Sequence, residues 1–442
     1  MSRYQKKKER LERQMRDAPS SVHLDKSTSN LFRIRTNAGQ CLDVHDFNEV
    51  ISIDPNKKWV EVEGMTTYEK LVDATLPYGL MPSVVPELKS ITVGGAVSGT
   101  GLESSSFRFG FVHETVLEMD ILLPKGNVIT CTPENEYRDL FFGIPNSYGT
   151  LGYILRLKIK TTPIKPYVHL VHRRFSTTSV YFEAMKKESE KKAVDFIEGI
   201  VFSPDTNVLT LSTFCDEVPY TSDYTYMNIY YRSVLARNED YLTVRDYIWR
   251  FDTDWFWRSD LFYAQNPLVR LLLGRKRLNS VFFTKIFRWN SRLKITERIN
   301  QFFGVHKEQI VQDVEVPIQH APAFLTFLHG EINILPIMIG PVIGSPVGIA
   351  RFPLFPLDPK TLYINIGFYG IRRTDYPEWH LNKLVEKKVL ELHGVKMLYS
   401  NSFYDQETFW RLYGEDTYKI LKQKYDPTGK LVDLYAKCVK RL

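Results

Sequence analysis

The sequence predicts an α+β protein made of two lobes. Its 442 residues exceed what one ordinary hydrophobic core accommodates. A hydrophobic fraction of 43% and a charged fraction of 25% are typical of soluble globular chains, and exclude a disordered or membrane-embedded protein. Beyond about residue 165 strand-like and helix-like pieces alternate in a new pattern, and this change predicts the boundary between the lobes.

The amino-terminal segment is strongly charged. Residues 5–17 consist largely of Lys, Arg and Glu and predict a short solvated helix within a basic arm over residues 1–22. Its cations could rest on an anionic membrane surface, but an exposed helix without a partner is the favoured interpretation. No apolar stretch follows the first residues, so no secretory signal is predicted.

The cysteines and the longest uncharged run predict the cellular compartment of the protein. Cys41, Cys131, Cys215 and Cys438 form no Cys-x-x-Cys pair, which favours a reducing compartment and no metal site. The run 332–350 contains three prolines and three glycines, which break up any helix long enough to span a membrane. It is interpreted as a buried strand followed by a loop. The predicted location is cytoplasmic, without a transmembrane anchor and with peripheral membrane contact left open.

The elements of the first lobe follow in order. Residues 50–53 and 59–62 alternate as the strands of a hairpin, with the turn 54–57 between them. Thr66 and Thr67 provide a polar cap before an apolar helix face.

The segment from Thr92 to Ser106 packs four glycines among several hydroxyl side chains. Glycine costs about 0.5–1 kcal/mol relative to alanine inside a helix or strand, so a loop is predicted instead. Such a loop lets backbone N–H groups approach a phosphate closely, although a tight turn without a ligand would use the same residues.

The residues that follow give this segment a context. An apolar strand at 118–123, the turn Pro124-Lys125-Gly126, a second strand at 128–132 and the helix start Leu140-Phe141 precede the turn Gly149-Thr150-Leu151-Gly152. This succession resembles the PCMH-type FAD-binding domain of the vanillyl-alcohol-oxidase superfamily. It differs from the dinucleotide fingerprint, in which Gly-x-Gly-x-x-Gly joins a strand to a helix.

Within that superfamily the chain most resembles the Δ24-sterol reductases. The stretches TVGGAVSGTGLESSS and YGTLGYI carry the resemblance, together with residues 266–268, 311–313, 362–367 and 397–399 of the second lobe. It implies an FAD-binding domain at 23–165, an α/β substrate (cap) domain at 166–400, and a segment at 401–442 that returns to the FAD domain. The apolar anchor of many relatives has no counterpart in this sequence.

The resemblance implies a set of cofactor-binding residues. Neither His nor Cys occurs between Ser27 and Arg33, so the FAD is expected to be held non-covalently, with Thr28, Ser29 and Asn30 as possible diphosphate donors. The main contacts are expected from Thr92, Val93, Gly94, Gly95, Ala96, Val97, Ser98, Gly99, Thr100, Gly101, Leu102, Glu103, Ser104, Gly149, Thr150 and Gly152.

The implied reaction is reduction of the side-chain double bond of a sterol or related isoprenoid lipid, with NADPH as a transient reductant. A buried general acid is then required. Asp313 and Glu315 share one face of a predicted strand, and Tyr399 is a further candidate. A structural salt bridge is an equally good explanation of each acidic residue.

Two alternative functions remain open. One is an FAD-linked oxidase or dehydrogenase of a polyol or lipid-linked sugar, although the lysine that related sugar oxidases carry beside the position of Ser402 is absent. The other is a flavin-binding scaffold without turnover. The aromatic and basic block at 245–295 fits a membrane surface or ordinary packing, and no nucleic-acid fold signature accompanies it.

Overall fold

The computed structural model describes residues 2–19, 21–29, 32–33, 39–293 and 306–441. Asn30, one of the expected diphosphate donors, lies outside these ranges. The strands of the described chain are β1 (Val22–Asp25), β2 (Gln40–Asp43), β3 (Val50–Asp54), β4 (Trp59–Glu63), β5 (Leu80–Pro82), β6 (Val116–Leu122), β7 (Val128–Cys131), β8 (Tyr153–Pro163), β9 (Tyr167–Phe175), β10 (Phe196–Ser203), β11 (Thr206–Cys215), β12 (Glu239–Thr243), β13 (Lys307–Pro317), β14 (Ile337–Ile343), β15 (Leu362–Arg373) and β16 (Val395–Lys396).

The α-helices lie between and around these strands. They are α1 (Arg3–Asp17), α2 (Tyr68–Thr75), α3 (Val93–Ser98), α4 (Ser106–Phe109), α5 (Arg138–Gly143), α6 (Thr178–Lys191), α7 (Tyr230–Ala236), α8 (Val244–Ile248), α9 (Pro267–Leu273), α10 (Ser280–Leu293), α11 (Ala321–Phe327), α12 (His380–Glu391), α13 (Gln406–Leu412) and α14 (Glu415–Tyr425). Over the described ranges, no helix combines the length and the apolar character needed to cross a bilayer.

The first lobe is built on an antiparallel sheet in the order β3-β4-β8-β6-β7, with β5 paired to the end of β8. The predicted hairpin at 50–62 forms β3 and β4, and Thr67 caps α2 as expected. Side chains alternate across β6, because successive residues of a strand point to opposite faces. Met119 and Ile121 join the main core, whereas Leu122 packs towards α1.

Helix α1 packs on the first lobe, so the expectation of a solvated helix without a partner is wrong. Leu11 and Met15 lie four residues apart on one helix face and are fully buried. Lys7 reaches the buried carboxylate of Glu63 at 2.8 Å, and Tyr4 donates a hydrogen bond to Asp120 at 2.7 Å. The charged sequence concealed this apolar stripe because its cations occupy the remaining faces.

The second lobe contains an eight-stranded sheet in the order β12-β9-β11-β10-β14-β15-β13-β16, and every pair in it is antiparallel. Helices α6, α11 and α12 cover one face through Tyr181, Phe324 and Val385, which belong to a single buried cluster with Val314 of β13. The opposite face of the sheet is directed at the first lobe. The predicted α+β, two-lobed fold is confirmed.

Contacts between the lobes fix the sheet over the glycine-rich segment. The backbone N–H of Ile197 in β10 donates to the carbonyl of Ser104 at 2.9 Å. The side-chain amide of Asn146 donates to the carbonyl of Leu354 at 2.6 Å. At the carboxyl end, Lys424 forms a 2.7 Å ion pair with Asp139 of the first lobe. The predicted domain boundaries themselves stay predictions.

Candidate functional site

A cavity of about 280 Å³ lies between the two lobes. One wall comes from α3 and the segment after it, and the facing wall comes from β10, β14, β15 and β13 of the large sheet. Trp255, Phe256 and Tyr399, with Met397, add a largely aromatic part to the lining. The lining residues are Lys26, Thr28, Ser29, Phe32, Pro86, Glu87, Leu88, Ile91, Thr92, Gly95, Ala96, Ser98, Gly99, Gly101, Leu102, Glu103, Ser104, Tyr148, Glu198, Trp255, Phe256, Arg258, Asp313, Met338, Gly340, Asn365, Tyr369, Met397 and Tyr399.

The glycine-rich segment begins as a short helix, which corrects the expectation that it forms only a loop. Thr92 caps α3 by accepting a hydrogen bond from the N–H of Gly95 at 3.3 Å. A Cβ on Gly94 would lie 2.8 Å from the carbonyl oxygen of Gly64, so glycine lets the helix press against the turn after β4. This close packing and the cap offset the helical cost of glycine.

The predicted cofactor-binding residues divide into two groups. Those that line the cavity are Thr92, Gly95, Ala96, Ser98, Gly99, Gly101, Leu102, Glu103 and Ser104. Those that do not are Val93, Gly94, Val97, Thr100, Gly149, Thr150 and Gly152. Val93 and Val97 are fully buried in the first-lobe core on the other side of α3. The wall facing the cavity is therefore small and hydroxyl-bearing.

The second glycine turn acts through its neighbour Tyr148. Gly149 has a φ of +78°, and Thr150 donates from its hydroxyl to the carbonyl of Ser147 within the turn. Tyr148, which sequence reasoning did not select, extends into the cavity and has a φ of +50°. The guanidinium of Arg33 lies 4.5 Å from the centre of its ring.

The pairing of β14, β15 and β13 places the residues of the sheet wall in rows that run across the strands. Gly340 of β14 pairs with Asn365 of β15, which pairs with Glu315 of β13. A Cβ on Gly340 would meet no atom closer than 4.0 Å, so the β14 end of this row leaves an open slot in the sheet wall. In the adjacent row of the same face, Met338 pairs with Gly367, which pairs with Asp313.

Asp313 forms a carboxyl–phenol cluster with two tyrosines. The Tyr399 hydroxyl donates to Asp313 Oδ2 at 2.5 Å, and the Tyr369 hydroxyl donates to Oδ1 at 2.9 Å. Burial raises the pKa of Asp313 to about 6, whereas the two phenols act in the opposite direction because they stabilise the carboxylate. No cation forms an ion pair with this carboxyl among the residues that the structure describes.

Glu315 lies on the same strand face but does not reach the cavity surface. Its Oε1 accepts a hydrogen bond from the side-chain amide of Asn365 at 2.8 Å, and its Oε2 has no hydrogen-bond partner among the described residues. Burial raises the pKa of Glu315 to about 8. The predicted shared orientation of Asp313 and Glu315 is confirmed, with Asn365 between Glu315 and the cavity.

A second acidic cluster, formed by Glu87, Glu103 and Glu198, surrounds the guanidinium of Arg250. Arg250 Nη2 lies 3.3 Å from a carboxylate oxygen of Glu103 and donates a hydrogen bond to Glu198. It also lies 2.5 Å from Glu87 Oε1, but its N–H groups do not point at this oxygen, so no hydrogen bond forms there. The three carboxylates are close enough to bridge a metal ion, but Arg250 occupies the position between them. Burial is the main cause that raises the pKa of Glu87 well above its usual range; Arg250 opposes this shift and the neighbouring carboxylates add to it.

Arg258 is a further cation at the cavity that sequence reasoning missed. Its guanidinium lies 4.3 Å from the ring centre of Trp255 and 4.9 Å from that of Phe32. No carboxylate pairs with it among the described residues, and burial lowers its pKa to about 10. An aromatic surround supports an unpaired buried cation, because the ring faces are electron-rich.

A buried lysine lies behind the cavity. Lys396 Nζ donates to Ser400 Oγ at 3.2 Å and lies 3.9 Å from Glu386. Glu386 accepts from the N–H of Phe403, next to the fully buried Ser402. Burial lowers the pKa of Lys396 to about 8. Lys396 does not line the cavity. It therefore does not take the place of the lysine that related sugar oxidases carry beside the position of Ser402.

The donor set fits FAD. Thr28, Ser29, Thr92 and Ser98, which carry hydroxyl groups, line the cavity together with Lys26, and hydroxyl and ammonium groups are suited to contact a diphosphate. Gly95, Ala96 and Gly99 make a flat wall on which a ring system can approach the backbone. No His or Cys lines the cavity within the described ranges, and the expected non-covalent binding stays a prediction.

Several site residues had no usable sequence signal. Glu198, Asn365 and Tyr369 reach the site through the register of an eight-stranded sheet, and pairing between distant strands is not encoded locally. Arg250 and Arg258 occurred within the aromatic and basic block, where their burial could not be distinguished from surface charge.

Comparisons with known proteins agree with these features. Residues 15–132 match the family described as "FAD binding domain". The Δ24-sterol reductase of Macaca fascicularis is 28% identical over 410 residues, covering 89% of this chain and 76% of that protein. The Δ24-sterol reductase of Arabidopsis thaliana is 26% identical over 439 residues, covering 90% and 76% respectively. Cytokinin dehydrogenase 1 of A. thaliana is 30% identical over 152 residues, covering 34% of this chain and 26% of that protein.

Proposed function

We propose that this protein is an FAD-dependent reductase of the side-chain double bond of a sterol or closely related isoprenoid lipid, with NADPH as the reductant. The likeness to Δ24-sterol reductases along most of the chain supports the substrate class. The observation that carries the chemistry is the Asp313 carboxyl, held between two phenols on the wall opposite the small-residue wall of α3.

FAD is assigned to the first-lobe wall. Thr28, Ser29 and Lys26 would hold the diphosphate, and Gly95, Ala96 and Gly99 would lie under the ring system. Bound FAD would supply the hydride that saturates the alkene. The remaining requirements, orientation of the lipid and delivery of a proton, belong to the side chains of the facing wall.

The proton is delivered from the carboxyl–phenol cluster. Protonating the less substituted carbon of a trisubstituted alkene leaves positive charge on the tertiary carbon. Protonated Asp313, or the Tyr399 hydroxyl re-protonated by it, gives this proton to the substrate. Because no cation pairs with Asp313 among the described residues, burial keeps the proton on the carboxyl up to a higher pH than usual.

Exclusion of water protects the developing cation. Met338, Met397 and Leu102 surround the centre of the cavity with apolar surface, and the slot at Gly340 leaves room for a lipid chain. A lipid bound there replaces water that would otherwise trap the tertiary cation as an alcohol.

An anaerobic flavin titration tests this function. The purified protein is expected to show an oxidised-flavin absorption spectrum that NADPH bleaches and that a Δ24 sterol restores in the absence of oxygen. A saturated sterol of the same ring structure is the control and should restore nothing. Bleaching by an alcohol instead of NADPH would establish the oxidase alternative, and a flavin unaffected by any of these reagents would establish a scaffold.

A further inference from the structure

Helix α9 presents an apolar face to solvent. Leu268, Leu271 and Leu272 are 71%, 62% and 81% exposed, and their spacing places them on one side of the helix. Tyr263 just before α9 is 79% exposed, and Trp289 of α10 is 59% exposed. Scattered single apolar residues are ordinary on a protein surface, but three exposed leucines on one face of a short helix mark a contact site.

The patch is held in place and is not an unfolded edge. Arg270 projects from the opposite side of α9 into the protein, where it forms a 2.5 Å ion pair with the buried Asp254. Asn266 caps the helix by accepting a hydrogen bond from the N–H of Leu268 at 2.9 Å. The leucines are therefore presented outward by a rigid anchor.

Basic side chains surround the leucines. Arg275, Lys276 and Arg277 follow α9 directly and are exposed, and Lys285 and Arg288 are exposed on α10. Arg275 pairs with Asp223 at 2.8 Å. The other four cations have no carboxylate partner among the described residues. Apolar side chains bordered by unpaired cations match the chemistry of an anionic bilayer, with acyl chains below a negative headgroup layer.

Helix α10 connects the exposed surface to the cavity wall. Phe283 and Phe287 of α10 pack against Trp255 with ring centres 6.5 and 5.9 Å apart. Trp255 and the neighbouring Phe32 line the cavity. The helix that exposes Trp289 therefore also contacts the aromatic wall of the site.

We propose that α9, the turn after it and the exposed side of α10 form a docking surface for an anionic lipid bilayer. The leucines and Trp289 enter the acyl boundary, and Lys276, Arg277, Lys285 and Arg288 contact the headgroups. The aromatic wall around Trp255 then lies at the membrane, so that a lipid can pass to the cavity without crossing water. The docking itself is independent of the proposed reaction.

Vesicle flotation tests the surface. The full chain is mixed with vesicles of phosphatidylcholine alone or with about one-third phosphatidylserine, and the bound fraction is measured at low and high salt. The protein is expected to bind the anionic vesicles at least about tenfold more tightly than the neutral ones, and to lose most of this difference at high salt. Equal binding to both vesicles, or none, would overturn the proposal.

Two sets of variants locate the contact. Combined Leu268→Ser, Leu271→Ser and Leu272→Ser is expected to weaken binding at least about tenfold, and combined Lys276→Glu and Arg277→Glu should do so only on anionic vesicles. Val180→Ser with Ile420→Ser and Lys57→Glu with Lys187→Glu are the matched controls, on exposed residues of other elements. If the control variants weaken binding equally, the surface is misassigned.

Three measurements separate the remaining outcomes. Brominated lipids should quench the tryptophan fluorescence of the native chain and quench the Trp289→Phe variant less, which reports insertion without disturbing the leucines.

Sedimentation in the absence of lipid detects self-association. A dimer that the triple serine variant dissociates would assign the patch to a second copy of the chain and refute the membrane contact. Flavin titration with detergent-dispersed sterol should be the same in all variants, so loss of docking and loss of activity are distinguishable.

Discussion

The cavity has two buried acidic clusters that differ in their partners. Glu87, Glu103 and Glu198 share the guanidinium of Arg250, whereas Asp313 accepts hydrogen bonds from the neutral phenols of Tyr369 and Tyr399. A counter-charge favours the ionised form of a buried carboxyl group, whereas a carboxyl group without one is driven towards its acid form. Glu87 is the exception in the Arg250 cluster, because its burial outweighs the effect of the cation on its pKa. The Arg250 cluster therefore supports the structure, and the Asp313 cluster is suited to proton transfer.

Replacing Asp313 tests the catalytic half of this comparison and has the largest expected effect. Asp313→Asn keeps the shape and the phenol contacts but removes the transferable proton, so sterol reduction should slow by about 10²–10⁴-fold. Flavin content and the rate of flavin bleaching by NADPH should remain as in the native protein. Asp216→Asn, at an exposed residue paired with Lys165, is the control. A normal rate of sterol reduction in Asp313→Asn would move the proton donor elsewhere.

Replacing Arg250 tests the structural half. Arg250→Met leaves three buried carboxyl groups without their cation, and the free energy of unfolding should fall by about 3–5 kcal/mol. Urea unfolding monitored by circular dichroism measures it. Arg245→Met breaks an ion pair that is about half exposed and should cost at most about 1 kcal/mol. Equal costs at both positions would remove the distinction between the clusters.

Filling the slot between the clusters should affect the substrate and not the fold. Gly340→Leu places a side chain into the open slot of the sheet wall, and kcat/KM for a sterol should fall by about 10–200-fold. FAD binding, assigned to the facing wall, should persist in the absorption spectrum. Gly330→Leu is the control, because that glycine is exposed and has no atom within 4 Å of an added Cβ. Loss of flavin in Gly340→Leu alone would assign the slot to the cofactor.

The pH dependence of sterol reduction tests how the hydroxyl groups of Tyr369 and Tyr399 affect the pKa of Asp313. The acid form of Asp313 is the active one, so the rate should fall as pH rises through about 6. Both phenols lower the pKa of Asp313, so Tyr369→Phe should raise it and move this fall to higher pH by about half a unit to one unit. Rate profiles from single-turnover reoxidation measure the shift. A shift to lower pH would show that the phenols stabilise the acid form.

The smallest expected effect concerns Glu87, whose pKa burial raises well above its usual range. A raised pKa favours the acid form, and Glu87→Gln puts a neutral amide of the same size in its place, so the free energy of unfolding at neutral pH should change by less than about 1 kcal/mol. Glu198→Gln, which breaks the buried ion pair with Arg250, should cost more in the same urea experiment. If Glu87→Gln is the more damaging of the two, the proton resides on another carboxyl.

The two walls of the cavity also differ in how far the sequence predicts them. The α3 wall comes from one continuous segment, so its glycines and hydroxyls could be identified together, and only their division between cavity and core required the helix itself. Asp313 and Glu315 were predictable as a pair from strand alternation. Glu198, Asn365 and Tyr369 were not, because the register that brings β10, β15 and β13 together depends on contacts far apart in the chain.

Helix α1 is where the charged composition predicted the environment of an element wrongly. Four buried or half-buried side chains, Tyr4, Lys7, Leu11 and Met15, recur every three to four residues within a segment that is otherwise charged. A periodicity test on the apolar and long aliphatic side chains would have found this stripe, whereas the overall charge suggested a free helix.

The ion pair between Lys7 and Glu63 makes the amino-terminal helix a cover for the outer side of the first-lobe sheet. Removing this helix would expose Leu42, Leu122 and Leu155 to water and leave the Glu63 carboxylate without its ion-pair partner. The shortened chain would be expected to aggregate in storage and to be cut by proteases at sites the native chain protects.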